Sequence, residues 1–189
     1  MPLNVLLLGP QGAGKGTQAK RISAEYGIPH IASGEILRAE MDAGTELGKR
    51  VKETIERGDL VSDDLMIELI RNRLEQPDTE AGFVLDGFPR TIVQAEALDS
   101  MFADIGRNFS VAFALQIPDE VAFDRLRRRA RADDTDEAIQ RRLDNYHRET
   151  EPLIEFYRTR GNVVPIHANR SENEVFAEIQ RALEQVPAR

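Results

Sequence analysis

The chain contains no cysteine. That excludes disulfides and thiolate metal sites. Its three histidines, His30, His147 and His167, are too scattered to supply a zinc site instead. No apolar run approaches the roughly 20 residues needed to cross a bilayer, and the start of the chain lacks the charged-then-apolar pattern of an export signal. No membrane partner is therefore expected, and a cytoplasmic location fits. Positive charge is also in deficit: 25 Lys and Arg stand against 33 Asp and Glu, a net charge of −8. A broad nucleic-acid surface needs clustered cations, so no nucleic-acid partner is expected. Any anionic ligand must be met by local groups of arginine and lysine.

What is present begins with Gly9-Pro10-Gln11-Gly12-Ala13-Gly14-Lys15-Gly16-Thr17. Ahead of it, Leu3–Leu8 has the length and apolarity of a buried strand. Behind it, Thr17–Tyr26 spaces Ala19, Ile22 and Tyr26 as a helix does. A strand, a glycine-rich turn and a helix form the setting of a phosphate-binding loop. The glycines let successive N–H groups point inward, the helix start adds its dipole, and Lys15 extends toward the β and γ phosphates. The alternative, an ordinary glycine turn with a surface lysine, is much the weaker reading of Gly-x4-Gly-Lys in that setting.

At 189 residues the chain is long enough for one domain with a sizeable core. Further strands are predicted at Ile28–Ala32, Gly82–Leu85, Val111–Ile117 and Asn162–His167. Helices are predicted at Gly34–Ala43, Leu47–Arg57, Ser62–Gln76, Thr91–Phe102, Asp119–Arg129, Thr135–Arg160 and Glu172–Gln185. This alternation implies an α/β fold with a parallel sheet covered by helices on both faces. Thr91-x-x-Gln94 and Ser171-x-x-Glu174 both read as capping boxes. Two segments interrupt the alternation: a pair of short helices within Ser33–Ser62, and an arginine-rich joint at Arg127–Asp134.

Three further groups carry candidate chemistry. Asp86-Gly87-Phe88-Pro89-Arg90 leaves the third strand at its carboxyl end, where parallel sheets bind ligands. Its aspartate suits Mg²⁺ or the ion's water shell, and its arginine suits a phosphate; the same residues also make an ordinary turn. Arg125, Arg127, Arg128, Arg129 and Arg131 fall within seven positions, ahead of Asp133, Asp134, Arg141 and Arg142. A helix dipole accounts for one or two of these cations and leaves the others to an anion. Ser33-Gly34-Glu35-Ile36-Leu37-Arg38 opens the helical insertion, with Ser33 either a helix cap, a ligand residue or both.

Taken together, the Gly9–Thr17 loop with Gln18, Ser33–Arg38, Asp86–Arg90 with Gln94, and Arg131–Asp134 leading to Arg142 resemble the adenylate kinases of short-lid bacterial type. The Gly-Lys-Gly-Thr ending of the loop is itself similar to that of nucleoside monophosphate kinases. The resemblance covers nearly the whole chain. It implies a three-layer P-loop NTPase fold with a five-stranded parallel sheet, a core made of residues 1–32, 63–126 and 136–189, an NMP-binding helical insertion at 33–62 and a short lid at 127–135. It implies the reaction ATP + AMP ⇌ 2 ADP, with Mg²⁺ carried on ATP and no zinc; the expected assembly is a monomer.

By the same resemblance, Gly12, Ala13, Gly14, Lys15, Gly16 and Thr17 cradle ATP phosphates. Arg125 lies against the ATP base, Arg129 meets its phosphates and the Arg170 backbone touches its base. Ser33, Arg38, the backbone of Asp59, Leu60 and Val61, then Gly87, Phe88, Pro89, Arg90 and Gln94 contact AMP. Arg131 and Arg142 surround the AMP and transferring phosphates. Lys15, Arg90, Arg129, Arg131 and Arg142 form the catalytic set, with Asp86, and Glu35 as a second candidate, facing Mg²⁺ through water. The sequence departs from the family where Ser33-Gly34-Glu35 replaces Thr-Gly-Asp, in its short lid, and at Gln11, a position often held by proline. The competing readings are a UMP/CMP kinase, a P-loop kinase of small metabolites and a nucleotide-dependent switch.

Overall fold

In a computed structural model, which describes residues 2–161 and 163–186, the apolar segment ahead of the glycine loop forms β1 (Leu3–Leu8) and the loop feeds directly into α1 (Lys15–Tyr26). The chain continues through β2 (His30–Ala32), α2 (Ser33–Asp42), α3 (Glu46–Glu56) and α4 (Asp63–Leu74). β3 (Gly82–Asp86), α5 (Ile92–Asp104), β4 (Val111–Gln116) and α6 (Asp119–Arg129) follow. The last part holds α7 (Asp136–Asn145), α8 (Leu153–Arg158), β5 (Val163–His167) and α9 (Glu172–Glu184).

The five strands pair in parallel, in the order β2-β3-β1-β4-β5. Because successive residues of a strand face opposite ways, the sheet has two apolar faces. Leu6, Leu8, Phe83 and Leu85 pack with Ile70, Leu98 and Tyr157 of α4, α5 and α8. Val5, Leu7, Val84, Phe113 and Leu115 pack with Ile22 of α1 and Ile179 of α9. The predicted three-layer α/β architecture is the observed one. Pro165 lies in β5 opposite Ala114; an edge strand tolerates a residue that cannot donate to the ladder.

The departures from expectation are local. The second strand starts at His30, since Pro29 offers no N–H to a ladder. The expected fifth strand began at Asn162, which lies outside the described residues. Residues 135–160 do not form one helix. α7 ends at Asn145, a π turn spans Tyr146–Thr150, and α8 starts after Pro152. Pro152 has no N–H for the ladder and its ring crowds the carbonyl four residues back, and the chain widens just ahead of it, with Glu151 N–H bonding to the Tyr146 carbonyl at 2.8 Å. The Ser171 capping box is formed in both directions. At Thr91 only half of it forms: the Thr91 hydroxyl accepts from Gln94 N–H, while the Gln94 side chain turns elsewhere.

Candidate active site

β1 is the strand from which the chain order runs outward both ways, to β3 on one side and β4 on the other. Ligand crevices in such sheets open beyond the carboxyl ends at this point. The loop after β1 and the Asp86–Arg90 turn after β3 meet there, in register through Leu7 and Asp86. They form the floor of a cleft of about 720 Å³.

The glycine loop curls back under α1, with Lys15 folded over it: Nζ donates to the carbonyls of Gly9 at 2.8 Å and Pro10 at 2.9 Å. Burial lowers the Lys15 pKa to about 8; Asp86 works against that shift, while Arg90 and Arg129 add to it. Burial raises the Asp86 carboxyl, but His30, Lys15 and Arg90 together hold it below its ordinary value. The His30 ring is itself almost fully enclosed, with Nε2 at 3.6 Å from Asp86 Oδ2.

The opposite wall is organised on the Gly87 carbonyl. It accepts from Ser33 Oγ at 2.8 Å and from Arg90 Nε at 2.8 Å. Gly87 has φ +81°, and a Cβ there would meet Ser33 Oγ at 2.6 Å and Arg90 Nη2 at 3.2 Å. Ser33 is the first residue of α2 and makes no capping bond; its hydroxyl joins the insertion to the β3 turn. Arg38, Asp59, Leu60, Val61, Pro89 and Gln94 also line the cleft. Phe88 does not: it is 1% exposed and its side chain packs in the core. Burial lowers the Arg90 pKa, opposed by Asp86 and reinforced by Arg142 and Arg38.

The arginine joint forms the third wall. The sequence raised the question of which anions neutralise it, and part of the answer is internal. Asp134 is fully enclosed and accepts from Arg129 Nε at 2.9 Å, from Arg142 Nη1 at 2.7 Å and from the Arg131 N–H at 3.2 Å. Asp133 takes the other Arg142 nitrogen at 2.5 Å. Arg125 donates to the carbonyls of Gly12 and Ala168, bridging the glycine loop to the end of β5. Arg170 lines the cleft, donating to the His167 carbonyl and pairing with Glu178. Arg127 and Arg141 point to Asp136 and Asp59 at the surface. Arg38, Arg90 and Arg131 have no carboxylate partner among the described residues. These three guanidiniums and Lys15 face one cleft.

Sequence reasoning treated Asp133 and Asp134 as a trailing acidic pair, although their place directly after the arginine run was a legible signal. It missed Asp63 and Asn145, whose partners lie 28 to 87 residues away. No group of three or more metal-ligating side chains occurs among the described residues. Glu35 instead pairs with Lys20 at 3.5 Å, across the mouth of the cleft.

The sequence profile of the family described as "Adenylate kinase" matches residues 7–162. The chain is similar to proteins named adenylate kinase from Phocaeicola vulgatus, 43% identical over 97% of this chain and 100% of that one, and from Stenotrophomonas maltophilia strain K279a, 42% identical over 96% and 99%. It is also 40% identical to the adenylate kinase of Methanosarcina barkeri, over 96% of this chain and 98% of the relative.

Proposed function

This chain belongs to the adenylate kinase family, and from that premise we propose how its own residues divide the work of moving a phosphoryl group between ATP and AMP. The observation that carries the reading is the cleft itself: a phosphate loop with Lys15 on one side and Arg38, Arg90 and Arg131, without carboxylate partners among the described residues, on the other. A single-nucleotide switch needs one anion site. Two facing sites suit a donor and an acceptor held in line.

ATP lies with its phosphates on Gly12–Thr17 under Lys15 and Arg129, and with its base by Arg125 and the Arg170 backbone. AMP lies against Ser33, Gly87–Arg90 and Gln94, its phosphate met by Arg38 and Arg90. Arg131 and Arg142 close on the phosphates between them. Residues 33–62 and the short lid at 127–135 are the parts that move over the core. Lys15, Arg90, Arg129, Arg131 and Arg142 hold the oxygens of both nucleotides, and positioning plus charge neutralisation lowers the barrier without a general base.

The donor set fits Mg²⁺. Asp86 offers a hard carboxylate oxygen held ionised at the foot of the loop, and an ion that keeps phosphate oxygens and waters needs little more from the protein. Bound with ATP, Mg²⁺ would neutralise phosphate charge. Asp86 would hold it through water; Glu35 sits farther out. Zinc has no part in this reading, and the working species is a monomer in the cytoplasm.

The test is ADP formation from ATP plus each of AMP, UMP and CMP, comparing kcat/KM. AMP is expected to lead, because Ser33 and Gln94 bring hydrogen-bonding groups to a base pocket, and such pockets reject bases that leave those groups unpaired. A lead for UMP or CMP would replace the adenylate acceptor with a pyrimidine one.

A further inference from the structure

Gln94 is 1% exposed, yet it lines the cleft. Its carboxamide is held from two sides by groups that cannot exchange roles. The Arg90 backbone N–H, a donor only, gives to Oε1 at 2.8 Å. Asp63 Oδ1, an acceptor only when ionised, takes from Nε2 at 2.9 Å. The same Asp63 oxygen accepts from the Thr91 hydroxyl at 2.9 Å, and that hydroxyl accepts from Gln94 N–H at 3.2 Å. The chemistry of its partners therefore fixes which end of the amide is oxygen and which is nitrogen. Asp63 stands at the first position of α4, where the chain returns from the two-helix insertion.

We propose that Asp63 is a positioning residue for acceptor specificity: by locking the Gln94 carboxamide in one orientation, it sets the order of hydrogen-bond groups shown to the acceptor base. The proposal depends on reading Gln94 as a base contact. With one N–H and one lone pair committed to Asp63 and Arg90, the amide keeps one N–H and one lone pair for a ligand. Adenine presents an exocyclic N–H donor beside a ring-nitrogen acceptor. Hypoxanthine presents the reverse, a carbonyl acceptor beside a ring N–H donor. A locked amide matches one and opposes the other, whereas a freely turning amide serves both.

The experiment compares kcat/KM for AMP and IMP, with ATP as donor, in the unmodified protein, Asp63→Ala, Asp63→Asn, Gln94→Leu and the Asp63→Ala/Gln94→Leu double variant. Asp63→Ala is expected to lower kcat/KM for AMP about 10- to 100-fold, chiefly through KM, as befits a buried amide that loses its partner. The AMP:IMP ratio should narrow by about tenfold or more, with the KM for ATP unchanged. Asp63→Asn, whose carbonyl still accepts, should keep most of the preference. In the Gln94→Leu background, removing Asp63 should leave the ratio where it was. A merely structural Asp63 would lower both acceptors alike in both backgrounds, and an unchanged ratio in Asp63→Ala overturns the proposal.

An unmodified protein without preference for AMP overturns the reading of Gln94 instead, so the two failures are distinct. Should Asp63→Ala not fold, the contact is read in the unmodified protein by NMR. The Gln94 side-chain amide, identified by its loss in Gln94→Leu, should show a nuclear Overhauser effect to the Asp63 β-protons. Its absence from a folded sample would equally overturn the lock.

Discussion

Lys15 shows how a residue can be legible in type while its chemistry waits for the fold. The Gly-x4-Gly-Lys spacing was enough to place it over the loop, but its resting partners, the Gly9 and Pro10 carbonyls, appear only in three dimensions. Lys15→Ala is expected to cost on the order of 100- to 1000-fold in kcat, as for other preorganised charges at a developing anion, with thermal unfolding little changed. Near-normal turnover in a folded variant would remove Lys15 from the mechanism. Its pKa of about 8, lowered mainly by burial, gives a second expectation with a definite sign. Below pH 8 the free enzyme carries the ammonium, and above it the charge is lost, so kcat/KM for ATP should fall as pH rises through about 8. kcat at saturating ATP should hold to higher pH, because bound phosphates restore the proton. The linked stability effect runs the other way: between about 8 and the ordinary lysine value of 10.5 the unfolded chain binds the extra proton, so this residue's contribution to stability rises with pH. A kcat/KM profile flat from pH 7 to 10 would contradict the assignment.

Among the elements, most of those announced by local chemistry were read correctly, and contacts between distant segments were not. β1, β4 and α6 followed from apolar runs and charge placement, and the Ser171 box formed as written. The break at residues 146–152 was signalled by Pro152 and overlooked, because the helical periodicity on either side reads as continuous. The docking of the insertion onto α7 had no local signal. Asn145 Nδ2 donates to the Gly58 carbonyl at 3.2 Å, Arg142 Nη2 donates to the Ile55 carbonyl at 3.3 Å, and Gly58 passes so close to α7 that a Cβ would meet the Ala138 carbonyl at 2.5 Å. Gly58 also has φ +80°, a conformation that costs other residues about 1–2 kcal/mol before any clash. Gly58→Ala should therefore destabilise the protein by about 2 kcal/mol or more, roughly 4–8 °C in Tm for a chain of this size. It should also raise the KM for AMP by a larger factor than the KM for ATP, since Asp59–Val61 follow directly. A variant with unchanged Tm would mean that the close approach to α7 is not maintained in solution.

At the scale of the whole molecule, an acidic protein encloses a cationic cleft, and the proposed two-nucleotide reading asks parts of it to move. In a chain of net charge −8, Lys15, Arg38, Arg90, Arg131 and the Asp134-tied pair Arg129 and Arg142 gather on one cleft, and the proposal sets the phosphates of two polyanionic substrates among them. Such a group of cations repels itself until phosphate arrives, and transfer also requires that water be kept from ATP. Lys15, Arg90 and Arg142 come from the core, whereas Arg38 is carried by the two-helix insertion and Arg129 and Arg131 by the α6–α7 joint, two segments that stand outside the sheet. Both should close fully only when both sites are filled. An analogue joining two adenosines through five phosphates fills them at once, and limited trypsin digestion reads the result. The insertion offers Lys49, Arg50, Lys52 and Arg57 to the protease, and the joint offers Arg127 and Arg128. Saturating analogue should slow cleavage in both segments by roughly tenfold or more, because proteolysis samples the open population that the ligand depletes. ATP alone should protect the joint more than the insertion, and AMP alone the reverse. Equal cleavage with and without the analogue would mean that these walls do not close on the nucleotides, and that the cations meet them from a rigid cleft.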